Sequence, residues 1–265
     1  IMVAKVDNDI VGLDFELLKK CDVDFYDRSS YVGNDVYSNS AYMILILAIK
    51  KLYGNACDVQ IKNTIDNGVC CETNFKLEKE MLTNIKHEMD NIVKEDLIFT
   101  PLNVRRTDAI RYFKKVKVID KANVLKYISN SYVTLYRLDD HYDYFFSKLA
   151  YSTKDIMDYK LTYIDEEKFI ISTPSIETPE TVLTYKNIPK VLKSFEDSSK
   201  FGKKINIENA ADLNKTVSEG NAKHVVRMAE LNYENKLMNI ADEIYNRKDS
   251  VKVVLLAGPS SSGKT

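Results

Sequence analysis

Apolar and polar residues alternate in short stretches at the start of the chain. Met2–Val6, Ile10–Leu13 and Val23–Tyr26 each predict a strand. Asp7-Asn8-Asp9 between the first two has hairpin-turn chemistry. So few short strands cannot bury a face alone, so they pack on residues further along the chain or form the tail of a domain. From Val36 to Tyr53 the apolar residues run round nearly the whole helical circumference, with Met43-Ile44-Leu45-Ile46-Leu47 unbroken. This predicts a buried central helix, stopped by Gly54-Asn55. Val59–Ile61 and Val69–Glu72 read as strands around an Asp66-Asn67-Gly68 turn. Leu77 to Val93 is amphipathic, with Leu77, Met81, Ile85, Met89 and Ile92 on one stripe. Shorter helices follow at Thr107–Val116 and Lys121–Ser129, then strands at Tyr132–Leu138, Tyr142–Phe146, Lys160–Ile164 and Phe169–Ser172. The first region is therefore predicted to be a mixed α+β domain.

Near residue 174 the pattern changes. Pro174, Pro179 and Pro189 interrupt any regular period and mark a boundary. Helices are predicted beyond it at Pro189–Ser198, Ala210–Ser218 and Ala222–Tyr245. In the longest, Val225, Met228, Ala229, Leu237, Ile240, Ala241 and Ile244 form the apolar face. Val251 to Ala257 is a continuous apolar run of the kind found in buried parallel strands.

Composition narrows the class. The chain has 265 residues, 45% hydrophobic and 29% charged, the balance of a globular protein able to bury its own core. A formal net charge of −1 gives no global pull toward nucleic acid or anionic lipid. The longest apolar run, Met43–Ile49, falls far short of the roughly 20 residues of a membrane span, so no membrane partner is expected. Cys21, Cys57, Cys70 and Cys71 suit neither a disulfide framework nor a metal knuckle. They read as reduced thiols of a cytoplasmic protein, with no zinc site.

The sharpest motif is the last. Gly258-Pro259-Ser260-Ser261-Ser262-Gly263-Lys264-Thr265 fits G-x-x-x-x-G-K-[ST] directly after an apolar run. In such a loop the backbone from Gly258 to Gly263, including Ser260, Ser261 and Ser262, turns its N–H groups toward a phosphate. Lys264 would neutralise β- and γ-phosphate charge as the catalytic residue. Thr265 would hold Mg²⁺, making ATP and Mg the expected cofactors. With the motif at its end, the chain reads as the front of a longer P-loop kinase. On its own it is expected to bind ATP weakly or not at all and to transfer no phosphate.

Ala257 to Thr265 resembles the opening of the uridine kinase/phosphoribulokinase-type P-loop. Tyr136-Arg137, Tyr142-Asp143-Tyr144-Phe145, Ser152-Thr153, Asn209 to Asn214 and Ile240 to Ile244 resemble bacterial nucleoside (uridine) kinases with a threonyl-tRNA-synthetase-like front. This resemblance implies a succession of four parts. Residues 1–27 would be the tail of a ubiquitin-like (TGS-type, β-grasp) domain, and 28–173 an α+β domain like the synthetase's second additional, or editing, domain. Residues 174–250 would be a helical connector, and 251–265 the first strand and P-loop of a kinase. It further implies ATP-dependent phosphorylation of a nucleoside substrate, with the front region accessory or regulatory. The synthetase editing domain carries His-x-x-x-His on its central helix and Cys-x-x-x-His further on. Here the first pair falls on Ser38 and Tyr42 and the second near Phe145 and Leu149, so editing chemistry is expected to be lost. A second reading of the front region is an RNA- or nucleotide-binding module derived from that editing domain.

Three histidines remain. His87 falls on the polar side of its helix and His224 near the start of the long one, and both read as solvated. His141 lies in Asp139-Asp140-His141-Tyr142-Asp143, either a carboxylate–imidazole cluster or, as favoured here, a polar turn between strands. Arg105, Arg106, Arg111, Lys114, Lys115, Lys117, Lys121 and Lys126 make a basic stretch opposed only by Asp108 and Asp120. It reads as a solvated face, with contact to tRNA or RNA phosphates as the alternative. Tyr132, Tyr136, Tyr142, Tyr144, Phe145, Phe146 and Tyr151 read as cross-strand packing rather than a base-stacking platform.

Overall fold

A computed structural model describes residues 1–258. The backbone divides into two units, Ile1–Ser199 and a second beginning at Lys200. The architecture is α+β, with three small antiparallel sheets and seven α-helices among the described residues.

The first unit opens with β1 (Val3–Val6), β2 (Asp9–Val11) and β3 (Val23–Tyr26), in the order β2-β1-β3. Asp7 turns between β1 and β2 at φ 53°, a left-handed conformation that Asp tolerates. The central helix α1 runs Tyr31–Tyr53, five residues earlier than the apolar pattern marks. Its start is set by Ser30, whose Oγ accepts from the Gly33 N–H at 3.1 Å. Gly33 has to be glycine, because a Cβ there would lie 1.9 Å from the Asp27 carbonyl oxygen. Gly54, at φ 84°, closes the helix with its N–H on the Lys50 carbonyl.

The largest sheet joins β4 (Val59–Ile65), β5 (Gly68–Thr73), β9 (Lys160–Tyr163) and β10 (Lys168–Ser172) in the order β4-β5-β10-β9. Helix α1 and the amphipathic α2 (Lys79–Lys94) share the main core with one face of it, through Cys71, Phe169 and Ile171. On the other face Ile65, Cys70 and Ile170 meet Tyr185, with Leu192 and Phe195 of α5 (Pro189–Lys204) packed alongside. Adjacent Cys70 and Cys71 thus serve two different cores, as strand alternation requires, and all four cysteines are free.

The third sheet, β6 (Thr100–Arg105), β7 (Tyr132–Leu138) and β8 (His141–Tyr144), was only partly legible. β6 escapes a pattern reading because Pro101 stands inside it. It is an edge strand, where a missing N–H can face away from the ladder. Helices α3 (Arg106–Lys115) and α4 (Ile119–Val124) cover this sheet through Ala109, Phe113, Ala122 and a 3₁₀ turn at Leu125–Tyr127.

Beyond Lys200 come the end of α5, α6 (Ala210–Ser218) and α7 (Ala222–Asn246). Helix α6 starts on a capping box, Asn209 Oδ1 accepting from the Asp212 N–H and Asp212 returning the contact. The expected strand at 251–257 is corrected: these residues form no strand and are exposed, Leu255 at 90%. A parallel strand is stable only beside a neighbour, and no described strand pairs with this one. No described helix is long and apolar enough to cross a membrane.

One polar knot ties the first unit together. Arg28 donates from Nη1 to Asp158 (2.7 Å) and from Nη2 to Glu180 (3.0 Å), with its guanidinium 5.4 Å from the Tyr37 ring centre. The buried Tyr37 hydroxyl donates to the Asp158 carbonyl (3.0 Å) and accepts from the Asp158 N–H (2.8 Å). Tyr37→Phe strands both backbone groups and should lower unfolding free energy by about 1–3 kcal/mol. Urea denaturation with an unchanged midpoint would show that the knot contributes nothing.

Candidate functional site

Because α1 is apolar almost all round, its few polar side chains are informative. Asn34, Ser38 and Tyr42 are spaced by four residues and share one face. Asn34 Nδ2 donates to the Pro174 carbonyl (2.8 Å), and Ser38 Oγ shares a hydrogen bond with Thr173 Oγ1 (2.9 Å). Next to them, Asn39 Nδ2 donates to Ser147 Oγ (2.8 Å), and buried Ser40 Oγ accepts from the Ala150 N–H (2.8 Å). These contacts bring the 145–150 segment and residues 173–174 against the middle of α1.

Of the four positions singled out above, Tyr42, Phe145 and Leu149 pack in or on the same core, and Ser38 is hydrogen-bonded to Tyr42. Burial drives the Tyr42 hydroxyl well above its ordinary range; neighbouring Cys71 adds to this and a hydrogen bond from Ser38 works against it. The Cys71 thiol is itself pushed up by full burial. Phe145 packs on the main core, and Leu149 is part of it. None of these side chains takes a proton near neutral pH, and a hydrolytic base has to. Among the described residues no three His, Cys, Asp or Glu side chains converge as metal ligands.

A buried charged cluster lies beside Phe145. Asp143 on β8 is buried and pairs with Lys121 of α4, whose ammonium also stands 5.6 Å from the Phe145 ring centre. Asp143 Oδ1 accepts from its neighbour's Tyr144 N–H (2.7 Å) as well. His141 Nε2 approaches Asp143 Oδ2 at 3.7 Å and has no hydrogen-bond partner among the described residues. Burial works to raise the Asp143 carboxyl, but Lys121 foremost, then His141, outweighs it and holds the group far below the usual carboxylate range. Both readings of Asp139–Asp143 therefore hold in part. Asp139 and Asp140 make the hairpin turn, and His141 and Asp143 also form a cluster with Lys121. The missing signal was Lys121, which lies 22 residues earlier in the chain.

His87 and His224 are exposed, as read from the periodicity. Arg105, Arg111, Lys114, Lys115, Lys117 and Lys126 are exposed, whereas Lys121 points inward to Asp143 and Arg106 is partly buried on the Ile128 carbonyl. Of the aromatic set, Tyr136 is core, Tyr144 and Phe146 meet edge to face at 5.1 Å, and Phe146 is 84% exposed. Gly258 lies outside any helix or strand. Ser260, Ser261, Ser262, Gly263, Lys264 and Thr265, with the ATP and Mg assignment they carry, lie outside the described residues.

Fold and site together define an α+β domain whose buried central helix carries a short row of paired polar side chains. No family model matches the chain. Part of it is similar to threonine–tRNA ligases. It is 36% identical over 117 residues to that of Natranaerobius thermophilus, covering 43% of this chain and 18% of the ligase. To that of Clostridioides difficile it is 28% identical over 164 residues, 61% of this chain and 26% of the ligase. The ligase of Finegoldia magna gives 27% over 164 residues. The chain thus spans about a quarter or less of the length of these relatives. They carry the synthetase-like side of the resemblance and not its uridine-kinase side.

The depressed Asp143 carboxyl fixes a pH dependence. Its contribution is fully present above the ordinary carboxylate pKa of about 4 and is lost as pH falls toward the folded value. Acid titration of stability should therefore slope downward below about pH 4, and Asp143→Asn should flatten that slope. The same change should cost about 3 kcal/mol at neutral pH by leaving Lys121 unpaired. Equal slopes in the two proteins would remove the pair from the account.

Proposed function

We propose that the chain is a module derived from a threonyl-tRNA synthetase editing domain, retaining the central helix and its flanking segments without the hydrolytic side chains. Its role is to bind RNA or a nucleotide. The observation that carries this is the set of side chains Ser38, Tyr42, Phe145 and Leu149 on and beside the central helix, together with the partial identity to threonine–tRNA ligases. The exposed cations on and after α3 supply phosphate contacts. Among the described residues only Arg111 of this set is engaged by a carboxylate, Asp108 at 3.0 Å. Such contacts give salt-dependent, sequence-indifferent affinity. On the same reading residues 1–27 are the end of a ubiquitin-like domain, 28–173 the editing-like domain and 174–250 a connector, in a cytoplasmic protein.

Filter binding to unfractionated tRNA tests it. Retention is expected at low salt and should fall steeply at moderate salt. The Lys114→Glu/Lys115→Glu pair should weaken it and flatten the salt slope by roughly two ionic contacts. Mischarged tRNA should be bound but not deacylated. Salt-insensitive retention, or deacylation that disappears with Tyr42→Phe, counts against the reading.

A second reading is favoured by one sequence observation, the fit of residues 258–265 to a phosphate-binding loop after an apolar run. On it the module is the accessory region of an ATP- and Mg-dependent nucleoside kinase. Lys264 is then the catalytic cation and Thr265 the Mg ligand, with Gly258, Ser260, Ser261, Ser262 and Gly263 around the phosphates. The intact gene product should phosphorylate a nucleoside such as uridine and lose this activity on Lys264→Ala, whereas residues 1–265 alone should show no micromolar ATP affinity by calorimetry. Full phosphorylation by the alanine variant would sink this reading and leave the first untouched.

A further inference from the structure

A cleft of about 200 Å³ opens in the first unit where the loop after β2 meets β6, β7 and residues 148–151. It is smaller than the roughly 300–1,000 Å³ of sites that enclose larger ligands, so it suits one flat aromatic group with a short chain. Buried Tyr136 contributes to its lining, with its hydroxyl hydrogen-bonded to the Leu149 backbone. Two further rings in the lining, Phe15 (53% exposed) and Tyr151 (45% exposed), leave apolar surface in water that a flat ligand would cover.

Two charges of opposite sign, Asp14 and Lys148, stand in the same lining. Among the described residues neither forms an ion pair or a side-chain hydrogen bond, with the other or with anything else. A purely cationic or purely anionic ligand would be drawn to one of them and repelled by the other. A zwitterion satisfies both. Gly12 bears on the same point: a Cβ there would lie 2.3 Å from Asp14 Oδ1, so the absence of a side chain leaves the carboxylate its place.

We propose that this cleft binds a free aromatic amino acid. The ring lies against Phe15 and Tyr151, the ammonium faces Asp14 and the carboxylate faces Lys148. This site is separate from the phosphate-binding surface and does not rest on the RNA reading.

The chain contains no tryptophan, so L-tryptophan can be titrated as a fluorescent probe against a dark protein background. A saturable emission change is expected at millimolar concentrations, competed by L-phenylalanine. Tryptophanamide, which lacks the carboxylate, and indolepropionate, which lacks the ammonium, should each bind roughly two- to fivefold more weakly. Asp14→Asn should abolish the penalty for indolepropionate, Lys148→Gln that for tryptophanamide, and Gly12→Ala should weaken tryptophan by displacing the carboxylate. Three results would each overturn the proposal: no saturable change, equal binding of all three probes, or displacement by uridine monophosphate at lower concentration than by phenylalanine.

Discussion

A helix whose apolar residues run round its circumference has no side it can turn to water, and that constraint shapes the whole first unit. Val36, Tyr37, Met43, Ile44, Leu45, Leu47, Ala48 and Ile49 of α1 are all buried. Cover is assembled from parts distant in sequence, namely α2, one face of the four-stranded sheet, the first strand and the segment around Leu149. Each burial removes apolar surface from water at about 25 cal/mol per Å². The polar positions on such a helix are correspondingly costly unless they are paired. Asn34, Ser38, Asn39 and Ser40 all find partners, and those partners fix where residues 147–150 and 173–174 must lie. The placement of these segments is a consequence of covering α1 while satisfying its few polar groups.

That geometry also limits what this face of the helix can do chemically. A hydrolytic site needs a general base, a side chain that takes up a proton near neutral pH. Hydroxyl, phenol, phenyl and isobutyl groups at the four key positions offer packing and weak hydrogen bonding instead. Tyr42 and Leu149 are drawn into the core the helix demands.

Much of this was legible in the sequence because it follows from local rules. The all-round apolar run gave the central helix, the period of Leu77 to Val93 gave α2, and alternation put Cys70 and Cys71 in separate cores. The start of α1 was misplaced because Ser30 and Gly33 set it through a cap and a close backbone approach, neither of which shows in apolar periodicity. Strand β6 was lost to Pro101, whose edge position depends on the sheet order. Residues 251–257 have strand composition without strand partners, and composition alone cannot supply a ladder. Lys121 was assigned to a solvated basic face because its partner, Asp143, is adjacent only after β7 and β8 pair with each other and α4 docks.

The Lys121–Asp143 pair shows why such long-range contacts matter beyond their energy. Burying two charges costs several kcal/mol in solvation, and an apolar pair of similar volume is often as stable. Net stability is therefore a weak reason for the pair. Its geometry is a stronger one: Lys121 reaches a carboxylate fixed by the Tyr144 N–H on β8 and spans the Phe145 ring on the way. An apolar contact would tolerate α4 sliding by a residue along this small sheet, whereas a buried ion pair would not, because any other register leaves both charges unpaired. Phe145 packs on the main core, so the pair that registers α4 also holds a ring of that core in place.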